Sequence, residues 1–218
     1  SLRDWSSDVC SSDLGGEGRL VLLSGEAGVG KSALVERLCR DLPDARWSWS
    51  MCDGLFTPRP LGPLFDLADQ LGGALLERGR AGADREELFR TLLSILSAPG
   101  VLDVVVVEDI HWADEATLDL LRYLSRRLRG AAVLLIATYR DDGLAAADPL
   151  RVALGDLGSQ RATRRVGLVP LSPGAVRTLA GASSLPAPDL YRLTGGNPFY
   201  VTEVLRAGVE EVPPSARD

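Results

Sequence analysis

This chain of 218 residues has a single lysine, a single histidine and a single asparagine: Lys31, His111 and Asn197. The other 23 of its 24 basic residues are arginine. Net positive charge is lacking too. The balance of −6 argues against a nucleic-acid surface, and the stretch from Gly15 onward keeps −4 of it. Three cysteines, at 10, 39 and 52, lack metal-ligand spacing, and their odd number suits a reducing cytosol. No apolar run approaches about 18 residues, so no membrane span is expected. No signal-peptide pattern opens the sequence, and a cytoplasmic location is the expectation. What remains is ordinary for a globular domain: 45% hydrophobic and 25% charged residues, in a length that suits one domain or one and a part.

The rare lysine stands in the stretch around which the chain is organised. Gly25-Glu26-Ala27-Gly28-Val29-Gly30-Lys31-Ser32 fits the phosphate-loop pattern G-x-x-x-x-G-K-[ST] at every fixed position. Arg19 to Leu23 before it reads as a buried strand, and Ala33 to Cys39 after it as a helix with an apolar stripe. A strand, a glycine loop and a helix start make an anion site, because backbone N–H groups turn inward and the helix dipole adds to them. An ammonium is a compact point charge that fits between phosphate oxygens, where a planar guanidinium does not replace it. Lys31 would reach the β- and γ-phosphates of a nucleotide, and the Ser32 hydroxyl would hold Mg²⁺.

Periodicity places the remaining elements. Strands are expected at Arg46 to Cys52, Val104 to Val107, Val133 to Thr138 and Arg164 to Leu168. Helices are expected at 61–71, 84–96, 116–128, 149–157, from Pro173, at 189–193 and at 199–206. Asp114 and Ser172 are the expected N-caps, and a glycine-rich turn near 79–82 is expected to separate the second and third helices. Alternating strands and helices predict an α/β fold with a parallel sheet flanked by helices. The expected division is a P-loop NTPase core at 15–142, then the C-terminal part of that module and a small helical lid at 143–218, cut short at its end. Ser7 to Leu14 resembles a translated sequencing adaptor, so residues 1–14 are set apart as a non-native tail.

A second constellation follows the Val104–Val107 run: Glu108-Asp109-Ile110-His111-Trp112-Ala113-Asp114. Carboxylates at the carboxyl end of a parallel strand sit where ligands of such sheets bind. One can hold Mg²⁺ and its neighbour can orient an attacking water. His111 offers either a structural hydrogen bond beside Trp112 or a part in catalysis. Arg140 ends the next strand, where a guanidinium can sense a γ-phosphate or pair with Asp141 or Asp142.

With these stretches together, and with Ala137-Thr138-Tyr139-Arg140-Asp141 and Thr194-Gly195-Gly196-Asn197-Pro198-Phe199-Tyr200-Val201-Thr202-Glu203, the chain resembles the STAND class of P-loop signal-transduction ATPases. Within that class it is similar to the ATPase modules of large LuxR-type bacterial regulators and of modules joined to cyclases or kinases. The resemblance implies ATP with Mg²⁺ bound between sheet and lid, and nucleotide state switching the protein between resting and signalling forms. It implies Gly25 to Ser32 and Pro198 as nucleotide contacts, with Pro198 near the adenine. Ser32 and Glu108 follow as the metal-side residues, and Asp109, Glu108 and Arg140 as the catalytic set. Many relatives carry Asp where Glu108 stands, so the division between Glu108 and Asp109 stays open. The family's strand order puts the 133–138 strand between those at 20–23 and 104–107. Two roles compete: a slowly hydrolysing switch of a transcription regulator, or a binding module of a signalling enzyme. Expected partners are ATP and ADP, sensor and output domains beyond the segment, and a nucleotide-dependent homo-oligomer. Neither duplex DNA nor a membrane is expected to bind this segment.

Overall fold

The computed structural model describes residues 18–54, 59–128, 130–143, 148–181, 183 and 185–207. Residues 1–17 (the adaptor-like tail included), 55–58 and the last eleven residues are among those that lie outside them. In chain order the elements are β1 (Arg19–Ser24), α1 (Lys31–Asp41), β2 (Arg46–Met51), α2 (Gly62–Leu71), α3 (Gly73–Arg80) and α4 (Arg85–Leu96). Then come β3 (Asp103–Glu108), a single 3₁₀ turn (Ile110–Trp112), α5 (Glu115–Ser125), β4 (Val133–Tyr139), α6 (Pro149–Gly158) and β5 (Thr163–Gly167). Three short helices close the series: α7 (Pro173–Ala180), α8 (Ala187–Thr194) and α9 (Pro198–Ala207).

The sheet is parallel and runs β2-β3-β4-β1-β5. The 133–139 strand therefore lies between β1 and β3, as the P-loop resemblance implied. Burial follows position. β4, at the centre, is buried along its whole length, and β3 over all but its last residue. Such β-branched and leucine runs suit strands covered on both faces. β5, at one edge, exposes Arg164 and Arg165. β2, at the other edge, is shielded by a side chain of α2. Gln70 Oε1 accepts from Trp49 N at 2.8 Å, and Gln70 Nε2 donates to Trp49 O at 2.5 Å. An amide thus takes the place of a neighbouring strand.

Because side chains alternate across a strand, the sheet divides its apolar residues in two. Val21, Leu23, Val104, Val106, Leu134 and Ile136 pack with Leu34, Val35 and Leu38 of α1. Leu20, Leu22, Val105, Val107, Leu135 and Ala137 pack on the opposite face under α2 to α6. The last three helices share a cluster of their own: Val176, Ala180, Leu190, Val201 and Val204.

Local signals mark the helix starts. Asp114 accepts from Ala116 N at 3.0 Å, and Ser172 Oγ accepts from Ala175 N at 3.2 Å ahead of Pro173. Two expectations need correction. The turn expected near 79–82 is confined to its end, because Gly73–Arg80 forms α3. Leu75 anchors it in the core, and Gly79 sits in the helix where a Cβ would press to 3.2 Å from the Phe65 ring. Its break from α2 is made by Gly72 and Gly73, both at positive φ. The helix expected to reach 128 stops at Ser125. There Arg127 N and Leu128 N both turn back to Leu124 O, and Leu128 O accepts from Gly18 N ahead of β1.

Candidate nucleotide site

The strand ends of β1, β3 and β4 line up, with Ser24 opposite Tyr139 and Val107 opposite Ala137. This brings the 25–32 loop, Glu108 and Arg140 to one sheet edge, the edge where parallel sheets bind ligands. Gly25, Gly28 and Gly30 take φ of 149°, 75° and 100°, a region that a Cβ disfavours. At two of them space is also closed. A Cβ on Gly25 would meet Leu168 O at 2.8 Å, and one on Gly28 would meet Phe199 Cβ at 2.8 Å.

Helix α1 begins at Lys31 with no side-chain cap and no acidic residue in its first turn. Its first N–H groups and its dipole therefore face the loop without a carboxylate of their own to satisfy them. Lys31 is buried and folds back over the loop, donating to Gly25 O at 2.7 Å and Glu26 O at 2.9 Å. Burial lowers its pKa, against the pull of Asp109.

Glu108 closes β3 and uses both carboxylate oxygens. Oε1 accepts from Ser32 Oγ at 2.5 Å, and Oε2 accepts from Trp49 Nε1 at 2.9 Å. Asp109 follows in the left-handed region, φ 55°, a conformation that Asp tolerates better than most residues at some cost. Its N–H donates to Thr138 Oγ1 at 3.0 Å, which ties the kink to β4.

The His111 side chain is only 10% exposed, and its Nδ1 stands 3.7 Å from Asp109 Oδ1. Among the described residues neither ring nitrogen has a hydrogen-bond partner, and the ring lies 5.1 Å from that of Trp112. Burial depresses its pKa; Asp109 opposes this while Arg140 and Lys31 add to it. Arg140 is exposed at the end of β4. Among the described residues it forms no ion pair with Asp141 or Asp142, and its charge is felt at both Lys31 and His111.

The segment that opens α9 reaches the loop through the one asparagine. Buried Asn197 donates from Nδ2 to Ala27 O at 2.8 Å and to Glu26 Oε1 at 2.9 Å. Phe199 N donates both to Asn197 Oδ1 at 3.1 Å and to Gly28 O at 3.2 Å. Pro198 opens α9 directly behind this contact. Sequence reasoning assigned Pro198 to the site and gave Asn197, Trp49 and Thr138 no contact. Asn197 had a signal in its singularity; the other two act across strands and had none.

A nucleotide with Mg²⁺ fits this donor set. The loop and helix start supply N–H donors and one ammonium, and Ser32 and Glu108 bring a hydroxyl and a carboxylate together. Among the described residues no group of three or more His, Cys, Asp and Glu side chains could hold a metal ion alone. Mg²⁺ typically takes one or two carboxylates plus substrate phosphates.

A parallel P-loop sheet with this edge defines a nucleotide-binding ATPase fold. Residues 8–136 match the AAA ATPase domain family, and the chain belongs to that family. It is 29% identical over 257 aligned positions to an uncharacterized protein of Rhizobium meliloti (strain 1021), covering 92% of this chain but 24% of that protein. Among solved structures it is similar to Aeropyrum pernix ORC1 in complex with DNA, with TM-score 0.60 and 17% identity over 99% of this chain and 62% of that one. Drosophila ORC bound to DNA gives TM-score 0.58 and 14% identity over 99% and 57%. Cdc6p of Pyrobaculum aerophilum gives TM-score 0.54 and 16% identity over 99% and 63%. At these identities the likeness is one of fold. Among the described residues no helix is long and apolar enough to cross a membrane.

Proposed function

We propose that this AAA ATPase domain is the ATP-binding, slowly hydrolysing switch of a LuxR-type STAND regulator. The observation that carries the proposal is the Asn197 contact, where a lid side chain hydrogen-bonds the phosphate loop at Ala27 O and Glu26 Oε1. Any change in the loop backbone on phosphate binding is transmitted to α9 through that side chain and through Phe199 N. The same coupling lets lid position alter nucleotide affinity, since linkage is reciprocal.

In this reading Lys31 leaves its two carbonyls for the β- and γ-phosphates, and the N–H groups of Gly28 to Ser32 hold the rest of the chain of phosphates. Ser32 and Glu108 hold Mg²⁺, which supplies charge neutralisation of the phosphate oxygens. Asp109 orients the attacking water, with His111 behind it. Arg140, free of Asp141 and Asp142, reaches the γ-phosphate, and Pro198 lies near the adenine. Water attacks the γ-phosphorus as the bond to the ADP oxygen breaks, and because this transfer depends mainly on positioning and charge it needs no covalent enzyme intermediate. DNA recognition and inducer sensing belong to other parts of the longer protein.

The test separates binding from turnover. Asp109→Asn is expected to keep ATP binding and lose hydrolysis, whereas Glu108→Gln weakens the Mg²⁺-dependent part of binding. Reversed effects would swap the two roles. No change of turnover in either variant would favour a binding module of a signalling enzyme.

A further inference from the structure

Glu108 is the last residue of β3, and the carboxyl group of such a residue is free to rotate unless something holds it. Here one oxygen faces Ser32 and the other accepts from the Trp49 indole. The strand register explains how Trp49 reaches it. Met51 pairs with Glu108 and Trp49 with Val106. Paired residues of parallel strands point to the same face, and residues two apart share it. Trp47, Trp49, Met51, Val106 and Glu108 therefore all point toward the α1 face, and Trp49 meets Glu108 on the diagonal.

Trp49 is itself held at several points. Its N–H and C=O are clamped by the Gln70 amide at 2.8 and 2.5 Å. Its ring stacks on that of Trp47, with centroids 6.2 Å apart and planes 26° apart. An indole so fixed has one polar atom to offer, a donor with no acceptor function, and it is spent on Glu108 Oε2.

We propose that Trp49 is a positioning residue for the metal-side carboxylate. It occupies Oε2 and so leaves Oε1 turned to Ser32, where the two proposed Mg²⁺ contacts meet. This rests on the nucleotide reading above and adds to it a line of contacts running from Gln70 in α2 through Trp49 and Glu108 to Ser32. Neutral donors that orient a metal-binding carboxylate commonly affect metal affinity by ten- to a hundredfold.

Trp49→Phe keeps an aromatic ring and removes the N–H. ATP affinity measured in EDTA is expected to stay as in the parent chain, while the Mg²⁺ concentration giving half of the metal-dependent gain in affinity rises about tenfold. In a Glu108→Gln background the same substitution is expected to add nothing further. A chain carrying β-(3-benzothienyl)alanine at position 49 keeps the bicyclic shape with sulfur in place of N–H. It should show the same shift, and it serves as the test where Trp49→Phe does not fold. An unchanged Mg²⁺ requirement in a folded variant, or an equal shift with and without Glu108, overturns the assignment. If the parent chain binds ATP no better than Lys31→Ala, the nucleotide reading itself falls, and the role of Trp49 falls with it.

Discussion

The sheet buries β4 over all seven of its residues and packs a layer of apolar side chains on each face, whereas among the described residues helices α7 to α9 share five buried apolar side chains. The two regions also differ in how they are joined. Strand meets strand by continuous backbone ladders. The lid meets the phosphate loop by a few polar contacts at Asn197 and Phe199. Apolar burial sets most of the stability of a region, so the sheet is expected to be the more stable region and α7 to α9 the one that opens at lower cost. The switch proposed above would need that inequality, with the phosphate loop persisting while α9 moves.

Two equally buried leucines break the comparison most sharply. Leu64 lies in the sheet's helical cover and Leu190 in the lid, both with 0% exposure. Leu64→Ala is expected to cost about 2–5 kcal/mol of global stability, read as a lower denaturation midpoint. Leu190→Ala should leave that midpoint in place and instead speed amide exchange across α7 to α9. A comparable fall in the midpoint for both would make sheet and lid one cooperative unit.

Next in size is the loop itself. Lys31→Ala should weaken ATP binding at least tenfold, about 1.4 kcal/mol, with the fold preserved. Unchanged affinity in the folded variant would remove the phosphate-loop reading. Asn197→Ala should release the lid by on the order of 1 kcal/mol. Exchange of the α9 amides would then quicken about fivefold, with the sheet amides unaffected; equal protection in α9 would show that the lid is held by something else.

The pH effect is smaller. His111 is buried and its pKa is held below the ordinary 6.5, so the unfolded chain binds the proton more readily. Its contribution to stability is therefore complete above about pH 6.5 and is lost as the pH falls toward the folded-state value. Denaturation curves of the parent and of His111→Gln at neutral and mildly acidic pH should show the difference moving in the variant's favour on acidification. A constant difference would mean that the imidazole does not sense its burial. The least effect, none, is expected for duplex DNA. With a net charge of −6 the chain offers little counterion release, so anisotropy titration at physiological salt should stay flat.

Much of the site was legible because its chemistry is local. The phosphate loop needs glycine at fixed spacings and one ammonium, and all of these lie within eight consecutive residues. The Val104–Val107 run announces a central strand by composition, and the carboxylates follow it directly. The α3 helix was not legible, since Gly79 and Gly82 read as a turn until the Phe65 ring explains the first of them. The fate of Arg140 was not legible either. Asp141 and Asp142 are its neighbours in sequence, yet among the described residues it pairs with neither.

By itself the sequence determined the α/β class, the phosphate loop, the acidic edge and the positions of nearly all strands and helices. These depend on side-chain period, capping and backbone freedom, which act over a few residues. Only the tertiary structure decided that Asn197 lands on Ala27 and Glu26, 170 and 171 positions earlier, and that Trp49 meets Glu108 across two strands. Such contacts depend on strand order, register and the docking of a separate helical unit. Those are set by the packing of all the elements together, which no stretch of sequence carries alone.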